Sequence, residues 1–241
     1  MRLAIVGATG QIGQAFIALL EGVADRVKPS RVHAVASSRS AGETIKILGK
    51  NIQIEALEQF DFSQVDCAFF ALNHTLTKQY IPLARQHCQL VIDNSSAYRL
   101  DPEVPLIVPE VNMQDWLRMG KPSLIANPNC STVQLVVALH PIRELFGLKR
   151  VDVATYQSIS GAGSEALQDF AAALQAVSHG GGNSPLDVVP VIDSLLDSGM
   201  TKEEMKMRHE SRKIWGDDAL TVQATCVRVP VRVGHAEAVH V

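Results

Sequence analysis

The first half of this 241-residue chain alternates short apolar runs with stretches of helical periodicity, and few folds accept that order. "RLAIV" (2–6) is followed by a helical pattern near 11–21, then "RVHAVA" (31–36), "DCAFFAL" (66–72), a second helical pattern near 76–87, and "QLVID" (89–93). Apolar runs without strict alternation are buried on both faces, and helices between them return the chain to the same sheet edge. The expected fold class is α/β: a Rossmann-type doubly wound parallel sheet. The second half changes character. After Cys130 comes a helical run, then "RVDVATYQSIS" (150–160), a helix near 164–177, a Gly-rich break (178–185), a charged helix near 201–214, and two strand-like runs, "LTVQATCVRVPV" and "HAEAVHV". The expected division is a Rossmann domain over residues 1–129 and an α+β domain over 130–241. There is no internal repeat or low-complexity tract.

Charge narrows the partners. The net charge of −3 arises from 22 basic and 25 acidic residues that are interspersed, so no basic face offers itself to nucleic acid or anionic lipid. No apolar stretch reaches about 18 residues, and the start runs straight into a strand without a leader pattern, which argues against membrane insertion and secretion. The four cysteines, Cys67, Cys88, Cys130 and Cys226, form no Cys-x-x-Cys pair and no metal-ligand spacing. Neither a structural zinc nor a disulfide framework is expected, and a reducing cytoplasm fits this usage. Small molecules are the expected partners.

The strand "RLAIV" leads into "GATGQIG". Gly7, Gly10 and Gly13 permit a tight turn, close approach of a pyrophosphate and close packing of helix on strand, while the helix start attracts the anion. The spacing departs from G-x-G-x-x-G, and an ordinary strand-to-helix turn is the alternative reading. At the end of the second strand, "ASSRSAG" contains no Asp or Glu to accept a ribose 2′-hydroxyl. Ser37, Ser40 and Arg39 offer hydroxyls and a guanidinium instead, which favours NADP over NAD. Arg39 as a merely solvated loop cation is the alternative.

Cys130 lies in "NPNCSTVQ", between an Asn-Pro-Asn turn and an apolar helical pattern. A helix start supplies partial positive charge that stabilises a thiolate. A free cysteine is equally at home as a small buried hydrophobe. A reactive thiol needs a partner that exchanges protons near neutral pH, and His235, after the Pro-containing segment that follows Arg228, is the best placed of the eight histidines. Gln157 ends a strand ahead of "SISGAG". Arg99 follows "VID" at the carboxyl edge of a sheet strand, where ligands of open α/β sheets collect. Glu203 and Lys206 share a face of the charged helix, although most such helices are simply solvated.

Together, "GATGQIG", "SSRSAG", "NSSAYRLD", "PLIVPEVN", "NPNCST", "YQSISGAG", "EEMK" and "RVPVRVGHAE" resemble the aspartate-β-semialdehyde dehydrogenase family, in order and over nearly the whole chain. The resemblance implies NADPH-dependent reductive dephosphorylation of L-aspartyl-4-phosphate, feeding synthesis of lysine, threonine, methionine and isoleucine. It implies Cys130 as the nucleophile carrying a thioester, His235 as general acid/base, and Gln157 as the group orienting the thiol. Arg228 and Glu203 would bind the α-carboxylate and α-amino group beside Asn129, and Arg99 and Lys206 would hold the phosphate. Gly7, Thr9, Gly10, Gln11, Ile12 and Gly13, with Ser37, Arg39, Ser40, Ser160 and Gly161, would bind NADP. A homodimer or homotetramer built through the second domain is implied. Family members usually continue well past the His-containing strand, so an incomplete second domain is expected, and a catalytically silent homologue that keeps nucleotide binding or assembly is an alternative. "ALNHTLTK" puts bulkier Asn73 and His74 where small residues are usual, and "SHGGGNSPLDVVPVIDSLLDSGM" is compressed. N-acetyl-γ-glutamyl-phosphate reductase is a further alternative, but that family carries Gly before its cysteine and an aromatic residue after it, where this chain has Asn129 and Ser131.

Overall fold

The computed structural model describes residues 1–178 and 187–241, which form two compact units. The first comprises Met1–Ile107 and Asn112–Pro128; the second comprises Val108–Val111 and Asn129–Val241. Asn129 belongs with the second unit because buried carboxylates there hold both its backbone and its side chain. Among the described residues, no helix is long and apolar enough to cross a membrane.

The first unit is a seven-stranded sheet in the order β3-β4-β2-β1-β5-β6-β7. Its strands are β1 (Arg2–Val6), β2 (Arg31–Ala36), β3 (Thr44–Ile47), β4 (Lys50–Ala56), β5 (Cys67–Phe70), β6 (Leu90–Asp93) and β7 (Leu124–Ala126). All neighbours pair in parallel except β3 with β4. Helices α1 (Gln11–Gly22) and α2 (His74–Ala84) are the crossovers after β1 and β5, and α3 (Pro109–Arg118) is kinked at Asn112. Leu3, Ile5, Ala34, Ile54 and Phe69 form one buried cluster, with Phe16 of α1 stacked on Phe69 at 4.2 Å between ring centroids. Val6 is level with Val35 on one side and Phe70 on the other, so the loops after β1, β2 and β5 leave from one edge. Strand order reverses between β1 and β5, the crevice where open α/β sheets bind ligands.

Four elements were not anticipated from the sequence: β3, β4, β7 and α3. The β3–β4 hairpin turns on Leu48 and Gly49, both at positive φ (51° and 76°), which suits a two-residue turn between twisted antiparallel strands. Leucine there disguises the usual Asn-Gly signal. β7 has only three residues, too few to show periodicity. The bulkier Asn73 has a local role: its Oδ1 accepts the Leu76 N–H at 3.0 Å and caps α2.

In the second unit, β8 (Arg150–Gln157) is central, parallel to β9 (Thr221–Arg228) and antiparallel to β10 (Ala236–His240). The helices are α4 (Cys130–Phe146), α5 (Ser164–Ser178) and α6 (Lys202–Trp215). Val151 and Val153 of β8 and Val222 and Cys226 of β9 pack against Leu135 and Leu139 of α4 and Met207 of α6. The apparent single run 220–231 ends as a strand at Arg228, because Pro230 cannot donate to a ladder. The loop beyond it turns back instead, its Val231 and Arg232 carbonyls accepting the N–H groups of Ile159 and Ser160. Apart from Ser178, which ends α5, the Gly-rich break lies outside the described residues.

Candidate active site

Cys130 is the first residue of α4, and the Asn-Pro-Asn turn creates that position. Asn129 is the N-cap, its extended backbone directing Oδ1 onto the N–H groups of Ser131 (2.9 Å) and Thr132 (3.3 Å). The thiol at this helix start is exposed and lies 3.1 Å from His235 Nε2. Burial treats the other cysteines differently, pushing Cys67 and Cys88 up to about 11 and Cys226 up to about 12. Those three are buried, whereas Cys130 is the exposed cysteine and has an imidazole at hydrogen-bond distance.

His235 is held by the turn after β8. Ser158 N–H donates to its Nδ1 at 3.0 Å, and Ser158 Oγ lies 3.2 Å from the same nitrogen. Burial and the nearby Arg228 push the imidazole below its ordinary range, against smaller opposing effects of Glu203 and the Gly234 carbonyl. Arg228 is fixed by donating Nη1 to the Ser158 carbonyl at 2.7 Å. Ser160 Oγ is 2.9 Å from Ser158 Oγ, and a Cβ on Gly161 would come within 2.9 Å of Arg228 Nη1 and 3.6 Å of the His235 ring. Glycine at 161 thus leaves room for the Arg228 guanidinium against this turn, while a side chain there would meet the imidazole only at ordinary contact distance.

Behind the thiol stands a buried polar cluster. Glu203 Oε1 accepts from Asn129 Nδ2 (2.9 Å) and Gln157 Nε2 (3.2 Å), while Oε2 accepts from Lys206 Nζ (3.1 Å). Burial raises the Glu203 carboxyl, but Lys206, Asn129 and Gln157 together reverse that and leave it below the ordinary carboxylate range. Lys206 also donates to Asp193 at 2.8 Å, and these partners raise it despite burial. Gln157 bonds to Glu203 and Thr155, so its link to the thiol runs through Glu203 and Asn129. Glu210, one further buried carboxylate on α6, accepts the Asn129 N–H at 2.6 Å. Neither Ser158 nor Glu210 was singled out from the sequence. A stripe of Glu203, Met207, Glu210 and Ile214 on one face of α6 was the available signal, since two carboxylates in a buried stripe need partners.

The remaining expected residues lie in the first unit. Gly7, at φ 92°, has no room for a side chain: a Cβ would stand 2.4 Å from the Ala71 carbonyl oxygen, and one on Gly13 would stand 2.2 Å from that of Gly7. Gly10 brings no capping side chain to the start of α1, and Thr9, Gly10 and Ile12 are exposed with Gln11 half-buried. Ser37, Arg39 and Ser40 surround a single 3₁₀ turn directly after β2, with Arg39 exposed. A close-packed glycine turn and a helix start without a side-chain cap fit a dinucleotide-binding turn. Arg99 donates Nε to the Ser95 carbonyl (3.0 Å) and Nη2 to the Asn94 carbonyl (3.1 Å), which clamps the loop after β6.

Both units match one family of known proteins. Residues 2–118 match the family model described as semialdehyde dehydrogenase, NAD binding domain, and residues 139–241 match semialdehyde dehydrogenase, dimerisation domain. An aspartate-semialdehyde dehydrogenase of Shewanella sp. (strain DB6705) is 42% identical over 245 residues, covering 98% of this chain and 72% of that protein. The solved structure of aspartate semialdehyde dehydrogenase II from Vibrio cholerae, complexed with ASA, is 39% identical with a TM-score of 0.93, over 99% of this chain and 73% of that one. A further solved structure, aspartate semialdehyde dehydrogenase with NADP from Candida albicans, is 27% identical with a TM-score of 0.71, over 99% of this chain and 70% of that one. With a nucleotide-type glycine turn in one unit, a thiol–imidazole pair in the other, and both halves matched in order, the chain belongs to the aspartate-semialdehyde dehydrogenase family of oxidoreductases.

Proposed function

We propose that the chain converts L-aspartyl-4-phosphate to L-aspartate 4-semialdehyde and phosphate, with NADPH as reductant and a thioester on Cys130 as intermediate. The observation that carries this reading is the exposed Cys130 sulfur at the start of α4, 3.1 Å from His235 Nε2. The thiolate attacks the acyl carbon, the carbon–oxygen bond to phosphate breaks, and phosphate departs with the electron pair. When bound, the dinucleotide supplies the hydride. Helix N–H groups and His235 then stabilise the tetrahedral oxyanion, whose collapse breaks the carbon–sulfur bond and releases the aldehyde. Arg228, already oriented by the Ser158 carbonyl, presents a fork suited to the α-carboxylate, and Glu203 supplies negative charge for the α-amino group. Arg99 and Lys206 are the cations proposed for phosphate.

NADP is preferred over NAD because Arg39 and the hydroxyls of Ser37 and Ser40 follow β2 without a carboxylate there. The family's lysine, threonine, methionine and isoleucine pathways, a cytoplasmic location, and assembly through the second unit as a homodimer or homotetramer complete the proposal. The matching dimerisation-domain model supports that assembly.

The test is turnover of aspartate semialdehyde with phosphate and NADP. Cys130→Ala is expected to abolish it, and activity surviving that change sinks the thioester mechanism. NAD used as efficiently as NADP overturns the cofactor preference.

A further inference from the structure

The N-cap of α4 is held at each of its polar atoms. Asn129 is buried; its Oδ1 accepts the Ser131 and Thr132 N–H groups, and its carbonyl accepts the Val133 N–H at 2.9 Å. Its Nδ2 donates to Glu203 Oε1 at 2.9 Å, and its backbone N–H donates to Glu210 Oε2 at 2.6 Å. Glu203 and Glu210 are two helical turns apart on the same buried face of α6, and Glu210 is 1% exposed. Glu203 is the group proposed for the substrate's amino group; Glu210 has no such part. Its bond is nevertheless the shorter of the two, and it reaches the backbone one residue before the thiol. A carboxyl group buried this deeply is costly unless well bonded, and an ionised one near the sulfur works against a thiolate. Capping alone does not call for it, since the Asn129 side chain caps α4 with its own oxygen. What Glu210 supplies is a fixed place for the N-cap backbone, and hence for the Cys130 Sγ that stands 3.1 Å from His235 Nε2.

We propose that Glu210 is a positioning residue for the nucleophile: by accepting the Asn129 N–H it sets the first turn of α4 so that Cys130 Sγ stays within proton-transfer distance of the His235 imidazole. The proposal rests on the reading of Cys130 as nucleophile and of His235 as the group that takes its proton and later returns one. The reach of the Glu210 side chain matters here, not its charge. The charged and titratable groups around this helix start are Glu203, Lys206 and Glu210 from α6, Arg228 from β9 and His235 ahead of β10, while Glu237 of β10 bonds Gln134 of α4. Removing a negative charge from that set favours the thiolate, whereas loosening the sulfur–imidazole pair disfavours it. A charge role and a positioning role for Glu210 therefore predict shifts of opposite sign.

The experiment is alkylation of Cys130 by iodoacetamide across pH in the full chain, read by mass spectrometry of the Cys130 peptide, for the wild type, Glu210→Asp and Glu210→Gln. Glu210→Asp keeps a carboxyl but is one methylene short of the N–H; Glu210→Gln keeps the length and an acceptor oxygen but gives up the charge. In Glu210→Asp the midpoint of the alkylation profile is expected to rise by on the order of one pH unit, the size of a lost charge partner. Its kcat with phosphate, NADP and aspartate semialdehyde is expected to fall by on the order of 10²-fold, the cost of a misplaced reacting group, with a much smaller change in KM. Glu210→Gln is expected to show a midpoint at or below that of the wild type and to recover most of kcat. A midpoint that does not rise in Glu210→Asp, or that rises as far in Glu210→Gln, overturns the proposal. So does a Glu210→Asp protein that unfolds at lower urea but keeps the wild-type kcat, which is the behaviour of a merely structural bond. If Glu210→Asp does not fold, Glu210→Gln decides: a raised midpoint with lowered kcat overturns the proposal, and the opposite supports it. The alkylation profile does not depend on turnover, so failure here is separable from failure of the thioester reading, which Cys130→Ala tests.

Discussion

Asn129 shows how much one side chain can organise. Its Oδ1 caps α4, its Nδ2 neutralises part of Glu203, and its own N–H is taken by Glu210. Asn129→Ala removes the cap, worth about 1 kcal/mol, and a buried hydrogen bond to a charged group, worth about 1.5–3 kcal/mol. Urea unfolding is expected to show a combined loss of about 2–4 kcal/mol. A loss no larger than that of an exposed cap would show that the Glu203 bond contributes nothing. Cys130 and His235 could be picked out from punctuation around them, since a turn before a helix and a Pro-Gly segment before a strand are local signals. Ser158 could not, because its role is played by a backbone N–H that every residue except proline possesses.

At the scale of elements, α6 departs furthest from its sequence reading. Its charge density suggests a solvated helix, yet Glu203, Met207, Glu210 and Ile214 form a buried face. The helix is started by a capping box: Thr201 Oγ1 accepts the Glu204 N–H at 3.2 Å, and Glu204 Oε2 accepts the Thr201 N–H at 2.7 Å. Glu204 Oε1 also accepts the Cys226 N–H at 3.2 Å, tying the first turn to β9. Thr201→Ala is expected to destabilise the protein by about 1 kcal/mol. Because Glu203 is in that first turn, the variant is also expected to raise KM for aspartate semialdehyde. Unchanged stability and KM together would remove the cap from any part in ordering the site.

For the molecule as a whole, pH acts through groups whose folded environments pull in opposite directions. His235 lies below its ordinary range, so its contribution is complete above that range and is lost as pH falls toward the depressed value. Glu237 on β10 is pushed by burial up to about 7, against a hydrogen bond from Gln134. Its Oε1 is buried with no hydrogen-bond partner among the described residues. A carboxyl raised in the folded state contributes fully below its ordinary value of 4.5, and that contribution is lost as pH rises through about 7. Glu237→Gln is therefore expected to flatten the fall in stability between those two pH values, read as the urea midpoint against pH. Parallel curves for the two proteins would show that Glu237 does not carry it.

The sequence by itself determined the α/β class, the glycine turn after β1, the absence of an acid after β2, and the placement of Cys130 at a helix start. Each depends on neighbours within a few positions, where periodicity and turn chemistry operate. Tertiary structure alone decided which side chains meet: His235 and Cys130 are 105 positions apart, Ser158 and His235 are 77 apart, and Asn129 and Glu203 are 74 apart. It likewise made one face of a charged helix an interior surface. Burial and proton location are set by what long-range packing brings close, and no local pattern encodes the field that a distant carboxylate, guanidinium or peptide N–H exerts there.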